Sequence, residues 1–321
     1  MSSSMSLLGL PSFDTVEELA ALIHIDEGRL AILTEMPERF YRRYEIPKRP
    51  LLRGTREIQS PSKELKAVQA WILRNILDKL SSSPYATAYV KGRRLLDNVN
   101  PHMNNRYFLA VDIRDFFPSV KLSLVYDLFA RIGYSKQAAN ILCRLCGYKI
   151  GLPQGGVTSP ALSNLVCLRL DRRLAGLASR RNIVFTRYAD DITFSTNNRN
   201  ALPRLLPTTY RILRDTGFEP NLGKTRMLGP RTRCVITGLV KNSKDPTFGI
   251  GRKKKVAMRS IMHNFLARGI VNADYPNEAS IEGLIHFAKN VDPAAHEQML
   301  RYWIDQKTKY PPQAKLDNTA I

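Results

Sequence analysis

Two aspartates stand side by side in a stretch that otherwise reads as a β-hairpin, Thr186-Arg187-Tyr188-Ala189-Asp190-Asp191-Ile192, inside a β-branched and aromatic run from Ile183 to Ser195. A third acid, Asp112, ends the apolar run Tyr107-Phe-Leu-Ala-Val-Asp112-Ile113, which reads as a buried strand. Side-chain capping of a turn accounts for one Asp there, not two. Carboxylates packed together repel and raise one another's pKa unless cations neutralise them. Hard divalent ions with oxygen ligands do this well. The chain is therefore expected to bring two strand ends together around cations. Three Asp so placed can hold two ions ~3.5–4 Å apart, the clamp used for in-line phosphoryl or nucleotidyl transfer. Asp115, followed by Phe116-Phe117-Pro118, reads instead as a helix-entry cap.

The rest of the chain is basic, which makes the acidic spots conspicuous. Its 321 residues carry 49 Lys+Arg against 28 Asp+Glu, a formal charge of +21. Self-repulsion on that scale is best tolerated by a protein whose partner is a polyanion, with nucleic acid the first candidate and an anionic membrane surface the second. Apolar residues make up 44% of the chain, enough for a real core and against global disorder. No window approaches the ~20 apolar residues of a membrane span, and the start lacks the pattern of a secretory signal; a soluble, cytoplasmic protein is expected. Cys143 and Cys146 have zinc-ligand spacing, but no matching second pair follows, so they read as small core residues on one helix face.

The coarse order is α+β. Residues 1–50 read as a helical N-terminal extension ending in a basic stretch, Arg39 to Arg49, punctuated by Pro47 and Pro50. A short extended piece begins at Arg53. Ser60-Pro61 is predicted to cap and open a helix with Leu65, Val68, Ile72, Ile76 and Leu80 on one face. Helices are predicted over Leu122–Ile132, Ser135–Gly147, roughly 160–180 and Ala201–Thr216, and a further strand over Cys234–Val240. From 251 to 310 the chain reads as basic helix, with Arg252-Lys253-Lys254-Lys255 leading an amphipathic stretch of Val256, Ile261, Phe265 and Leu266. From Pro311-Pro312 a frayed tail is expected.

Four motifs in order resemble those of the reverse transcriptases: Asp112 at its strand end; Gly151-Leu-Pro-Gln154-Gly155 running into Ser159-Pro160-Ala-Leu-Ser-Asn164; Tyr188-Ala189-Asp190-Asp191; and Gly217-Phe-Glu-Pro-Asn221-Leu-Gly-Lys224-Thr225. The resemblance implies a right-hand polymerase, with fingers over 51–106, a palm over 107–240 containing part of the fingers at about 120–150, and a basic helical thumb over 241–321. It implies that Asp112, Asp190 and Asp191 bind two Mg²⁺ ions for RNA-directed DNA synthesis. It further implies that Phe117, with Phe116 as the alternative, excludes ribonucleotides at the sugar 2′ position. Gln154 and Gly155 would line the nucleotide and template pocket, Arg56 would neutralise the incoming dNTP, and Lys224 would protonate the leaving pyrophosphate.

Within that family the chain resembles the bacterial retron enzymes through Gln59 to Gln69, through Asn98-Val-Asn-Pro-His102, and through Ile236-Thr237-Gly238-Leu239. About ninety residues follow the palm, room for a thumb but not for an added nuclease, maturase or integrase domain. The resemblance implies a structured noncoding RNA as partner, copied from the 2′-hydroxyl of an internal guanosine into branched, multicopy single-stranded DNA. It also implies a role in antiphage defence with an effector protein. Asn98 and His102 would organise that RNA or the palm edge, or simply stabilise a turn. Arg252 to Lys255 would grip RNA and duplex, since each phosphate contact releases counterions. The competing readings are another small bacterial reverse transcriptase, of group II-like or diversity-generating type, and a catalytically inactive RNA-binding protein.

Overall fold

The computed structural model describes residues 3–47, 54–242 and 245–311. Arg49, Pro50 and Arg53, and the tail from Pro312, lie outside the described residues. Two compact units form: Met1–Arg93 with Tyr107–Met227, and Arg94–Arg106 with Leu228–Ile321. The expected fingers and palm segments thus each give a piece, 94–106 and 228–240, to the C-terminal unit.

In the first unit the N-terminal helices Val16–Ile23 and Glu27–Glu35 are capped by Thr15 and Asp26, whose side chains accept from backbone N–H groups. The helical extension ends there. The basic stretch forms a strand instead, β1 (Tyr41–Pro47), paired antiparallel with β2 (Thr55–Pro61) from Tyr41↔Pro61 to Pro47↔Thr55. Tyr-Arg-Arg-Tyr-Glu-Ile has no apolar helical stripe to bury, so cross-strand pairing is what satisfies its backbone. Because Pro61 closes β2, the next helix (Lys63–Asn75) starts later than predicted. Its cap is Ser62, whose Oγ accepts from the Leu65 N–H at 3.3 Å, rather than Ser60.

The central sheet has the order β4-β5-β3-β6, from β3 (Tyr107–Asp112), β4 (Val184–Tyr188), β5 (Asp191–Thr196) and β6 (Arg226–Leu228). β5 pairs antiparallel with both β3 and β4. Leu109, Val111, Phe185, Ile192 and Phe194 are buried in its core. Helices Leu122–Ile132 and Lys136–Cys146 form where predicted. The expected helix over 160–180 is two, Ser159–Val166 and Leu168–Ser179, joined at Cys167 with ψ −2°. All four cysteines are buried and outside any disulfide, and burial pushes the thiols of Cys143 and Cys146 up to about 11 and 12, consistent with core packing. Asp115 precedes the short Phe116–Ser119 helix but makes no side-chain cap; its backbone instead takes the left-handed region, φ 46°.

The second unit contains the helix Leu95–Val99 and a three-stranded sheet of β7 (Val235–Ile236), β8 (Leu239–Lys241) and β9 (Phe248–Gly249). The single strand expected over Cys234–Val240 is therefore a hairpin. Three helices follow, Gly251–Arg268, Glu278–Val291 and Pro293–Lys309, around Met258, Met262, Ile281, Ile285, Met299 and Trp303. The buried stripe of the first is Met258 and Met262, one turn apart, whereas Val256 is 55% exposed. No helix among the described residues is long and apolar enough to cross a membrane.

Candidate active site

Asp112 is the last residue of β3 and lies opposite Asp191, the first residue of β5. Asp190 sits beside them in the two-residue turn Ala189-Asp190 that closes the β4–β5 hairpin. Main-chain bonds fix the arrangement: the Ile113 N–H donates to the Asp190 carbonyl at 3.0 Å, and the Asn221 N–H to the Asp112 carbonyl at 2.7 Å. Ala189 holds φ 56°, a conformation that costs a non-glycine residue about 1–3 kcal/mol. A buried polar knot holds it there. Arg187 donates from Nη1 to the Ala189 carbonyl at 3.0 Å and to Asn164 Oδ1 at 3.2 Å. It also forks onto Asp171 at 2.6 and 2.8 Å, both side chains being wholly buried. Sequence reasoning missed Arg187 and Asp171. The available signal was a lone arginine inside a β-branched and aromatic run that packs as a strand buried on both faces, which demands an internal counter-ion.

The three carboxylates feel one another. Burial, then the Asp112 charge, raises the pKa of Asp190. Burial, then the charges of Asp190 and Asp112, pushes Asp191 up to about 6. Lys224 donates from Nζ to Asp112 Oδ2 at 2.8 Å, while Asp112 Oδ1 is buried without a hydrogen-bond partner among the described residues. Among those residues no three His, Cys, Asp or Glu side chains already converge into a metal cage. What the fold supplies is adjacency of the three backbones, a mutual repulsion and an orphaned acceptor. An oxygen-preferring divalent cation relieves all of these, so the donor set fits Mg²⁺.

Of the other expected site residues, Lys224 and Arg56 act on the aspartates, while Phe117, Gln154 and Gly155 are positioned by neighbours of their own. Arg56, exposed on β2, lies close enough for its charge to ease the ionisation of Asp190. Phe117 is half-buried, whereas Phe116 is packed against Phe218 at 6% exposure, so Phe117 is the accessible ring. Gln154 and Gly155 are held by β2: the Gln154 N–H donates to Gln59 Oε1 at 2.8 Å, and its carbonyl accepts from the Gln59 N–H at 2.9 Å. Gly155 has φ 131°, and a Cβ there would lie 2.7 Å from the Gln59 carbonyl oxygen. The close approach that requires glycine is thus to the neighbouring strand. Gln69, also missed, ties the same loop down from inside a helix. It donates to the Tyr41 hydroxyl at 2.7 Å and the Leu145 carbonyl at 2.9 Å, and accepts from the Val157 N–H at 3.0 Å. Its signal was a lone polar residue on the apolar face Leu65, Val68, Ile72.

The remaining expected residues lie in the second unit. Thr237 and Gly238 form the β7–β8 turn with φ 45° and 81°, the two left-handed residues of a type I′ hairpin. Asn98, 1% exposed, donates from Nδ2 to Thr237 Oγ1 at 3.4 Å, and His102 is fully buried. Buried side chains shape the fold around them and do not present atoms at the surface; burial also lowers the His102 pKa to about 3, which rules against a proton-shuttling base. The basic run is divided. Lys255 pairs with Asp292 at 3.3 Å and Lys254 lies 4.6 Å over the Phe287 ring. Arg252 and Lys253 are exposed, with no ion pair among the described residues.

A strand-end aspartate facing a hairpin-turn pair, on an antiparallel sheet backed by helices, is the palm of a right-hand polymerase. A family model described as reverse transcriptase (RNA-dependent DNA polymerase) matches residues 46–247. The retron Ec86 reverse transcriptase of Escherichia coli is 34% identical over 303 residues, covering 94% of this chain and 92% of that protein. The retron Mx65 reverse transcriptase of Myxococcus xanthus is 34% identical over 321 residues, covering 93% and 73%. The solved structure of telomerase from Candida albicans with a fragment of telomeric RNA shares the fold, with TM-score 0.52 and 12% identity. That match covers 84% of this chain, which spans about half, 54%, of the telomerase chain. The chain belongs to the reverse transcriptases, RNA-directed DNA polymerases, and within them to the bacterial retron enzymes.

Proposed function

We propose that this polymerase copies a structured noncoding RNA into DNA from the 2′-hydroxyl of an internal guanosine, giving branched, multicopy single-stranded DNA that serves antiphage defence with an effector protein. The observation that carries the catalytic part is the meeting of Asp112, Asp190 and Asp191, with an unpartnered buried oxygen on Asp112. These residues would hold two Mg²⁺ ions, which when bound lower the pKa of the attacking hydroxyl and offset charge on the leaving pyrophosphate. In this reading Arg56 and Lys224 supply positive charge for the triphosphate and Lys224 gives a proton to the leaving group, which its bond to Asp112 supports. Phe117 sets its ring against the sugar 2′ position. The Gln154-Gly155 loop, pinned to β2, forms the floor under the nucleotide. In this reading residues 51–106, 107–240 and 241–321 serve as fingers, palm and thumb, and the exposed Arg252 and Lys253 contact nucleic acid. Asn98 braces the Thr237-Gly238 turn, which we assign to recognition of the RNA.

Purified protein given Mg²⁺, dNTPs and a DNA primer on an RNA template should extend the primer. Asp190→Asn with Asp191→Asn should reduce extension to background; equal incorporation by that variant would refute the assignment. The branched product is tested separately, in cells carrying the gene with its upstream flank. A short single-stranded DNA whose apparent size drops after RNase treatment or debranching is expected.

A further inference from the structure

The charge of this chain is unevenly made. Between Lys149 and Lys224 there is no lysine, yet ten arginines occur. Arg187 is the buried one; the others lie on or beside the helices Leu168–Ser179 and Ala201–Asp215. On the first helix Arg169, Arg172, Arg173 and Arg180 recur at spacings of three, four and seven, so they share one face. The second helix runs alongside, linked by the Arg173–Asp215 pair at 2.7 Å, and adds Arg204 and Arg211. Arg169, Arg172, Arg180, Arg204 and Arg211 are exposed and have no ion-pair partner among the described residues. Guanidinium forks match phosphate oxygens two at a time, which lysine cannot do.

Two features of this face go beyond charge. Gly176 sits exposed in the middle of the arginine stripe, and a Cβ there would meet nothing within 4 Å. No packing contact explains a residue that weakens a helix interior; it leaves a notch where a polyanion backbone can approach the helix closely. At one end of the face Arg131, Arg169 and Arg214 line a cleft of about 710 Å³ with Leu124 and Val166 among its apolar walls; two acids also line it, Asp127 and Asp215, the latter paired with Arg173. Apolar walls under arginines suit an unstacked base, and RNA is read mostly through such unpaired nucleotides and its backbone. The cations that ease ionisation of the catalytic Asp190 and Asp191 are Arg56, Lys224 and Arg226, none of them on this face.

We propose that these two helices form a second RNA-binding surface, distinct from the polymerase site, that seats the phosphate backbone of a folded RNA across Gly176. The assignment rests on the reading that the partner is a structured RNA, and it adds where the part not being copied is held.

The test measures the affinity of the full-length protein for a labelled RNA stem-loop with no primer end, as a function of salt. In parallel, extension of a DNA primer on a short unstructured RNA template is followed. Arg172→Glu, Arg180→Glu and Arg211→Glu combined should weaken stem-loop binding at least tenfold and make the log–log salt slope shallower by about two, while extension is retained. Gly176→Leu, which strengthens the helix, should weaken stem-loop binding several-fold without lowering the thermal midpoint. Unchanged affinity and slope in the triple variant overturn the surface, as does a parallel fall in extension. Absence of extension by the wild type would instead overturn the polymerase reading, whatever the stem-loop shows.

Discussion

At Asp112, one carboxylate oxygen is bonded to Lys224 and the other is buried without a partner, so the site's character rests on single atoms. The supporting residues are equally specific. Replacing Asp171 by Ala would leave the Arg187 guanidinium buried and unpaired, a loss of about 3–5 kcal/mol, read as a drop in the urea midpoint. Gly155→Ala places a methyl 2.7 Å from a backbone oxygen at φ 131°. It should cost about 1–3 kcal/mol and lower extension activity, because the loop must leave β2. Phe117→Ala should leave dNTP extension largely intact and raise ribonucleotide incorporation by about tenfold, measured by alkali-sensitive breaks in the product. The meeting of Asp112, Asp190 and Asp191 was legible in the sequence because one acid ends an apolar strand and two stand in the turn of a β-rich hairpin. Arg187, Asp171 and Gln69 were not, because all the partners of their side chains but the Ala189 carbonyl are 16 to 88 residues away and only folding sets them face to face.

Local signals located most elements but not their ends. The helices at Leu122–Ile132 and Lys136–Cys146 were readable because their apolar spacing, the Ser135 cap and the glycines at 133 and 147 agree. β1 was not, since its residues show neither period clearly and its order comes from the partner strand. The strand over Cys234–Val240 was misread because Thr237 is a poor residue for positive φ, whereas Asn-Gly would have announced the turn. Thr237→Asn should therefore stabilise the hairpin by about 1 kcal/mol, raising the thermal midpoint, and the long 3.4 Å bond from Asn98 forfeits little. Gly238→Ala should do the opposite.

For the whole molecule, pH and salt act on different features. His102 ordinarily titrates near 6.5, and burial lowers it to about 3. The unfolded chain binds the extra proton first, so stability falls as pH drops from about 6.5 towards 3, by up to about 1.4 kcal/mol per pH unit. Thermal midpoints at pH 7.5 and 5 should show the loss, and His102→Gln should flatten it. Salt bears on the +21 charge: nucleic-acid affinity should fall linearly on a log–log plot, by about 0.7–0.9 per phosphate contact. By itself the sequence carried the acids that end up at neighbouring strand ends, the motifs in polymerase order, and a positive charge suited to a nucleic-acid partner. These follow from residue type and near spacing, which a chain carries before it folds. Only the tertiary structure decided that Lys224 reaches Asp112, that Gly155 serves β2, that Asn98 and His102 are interior, and that two arginine helices lie side by side. Each depends on groups far apart along the chain meeting where water has been excluded, and no local pattern encodes that distance.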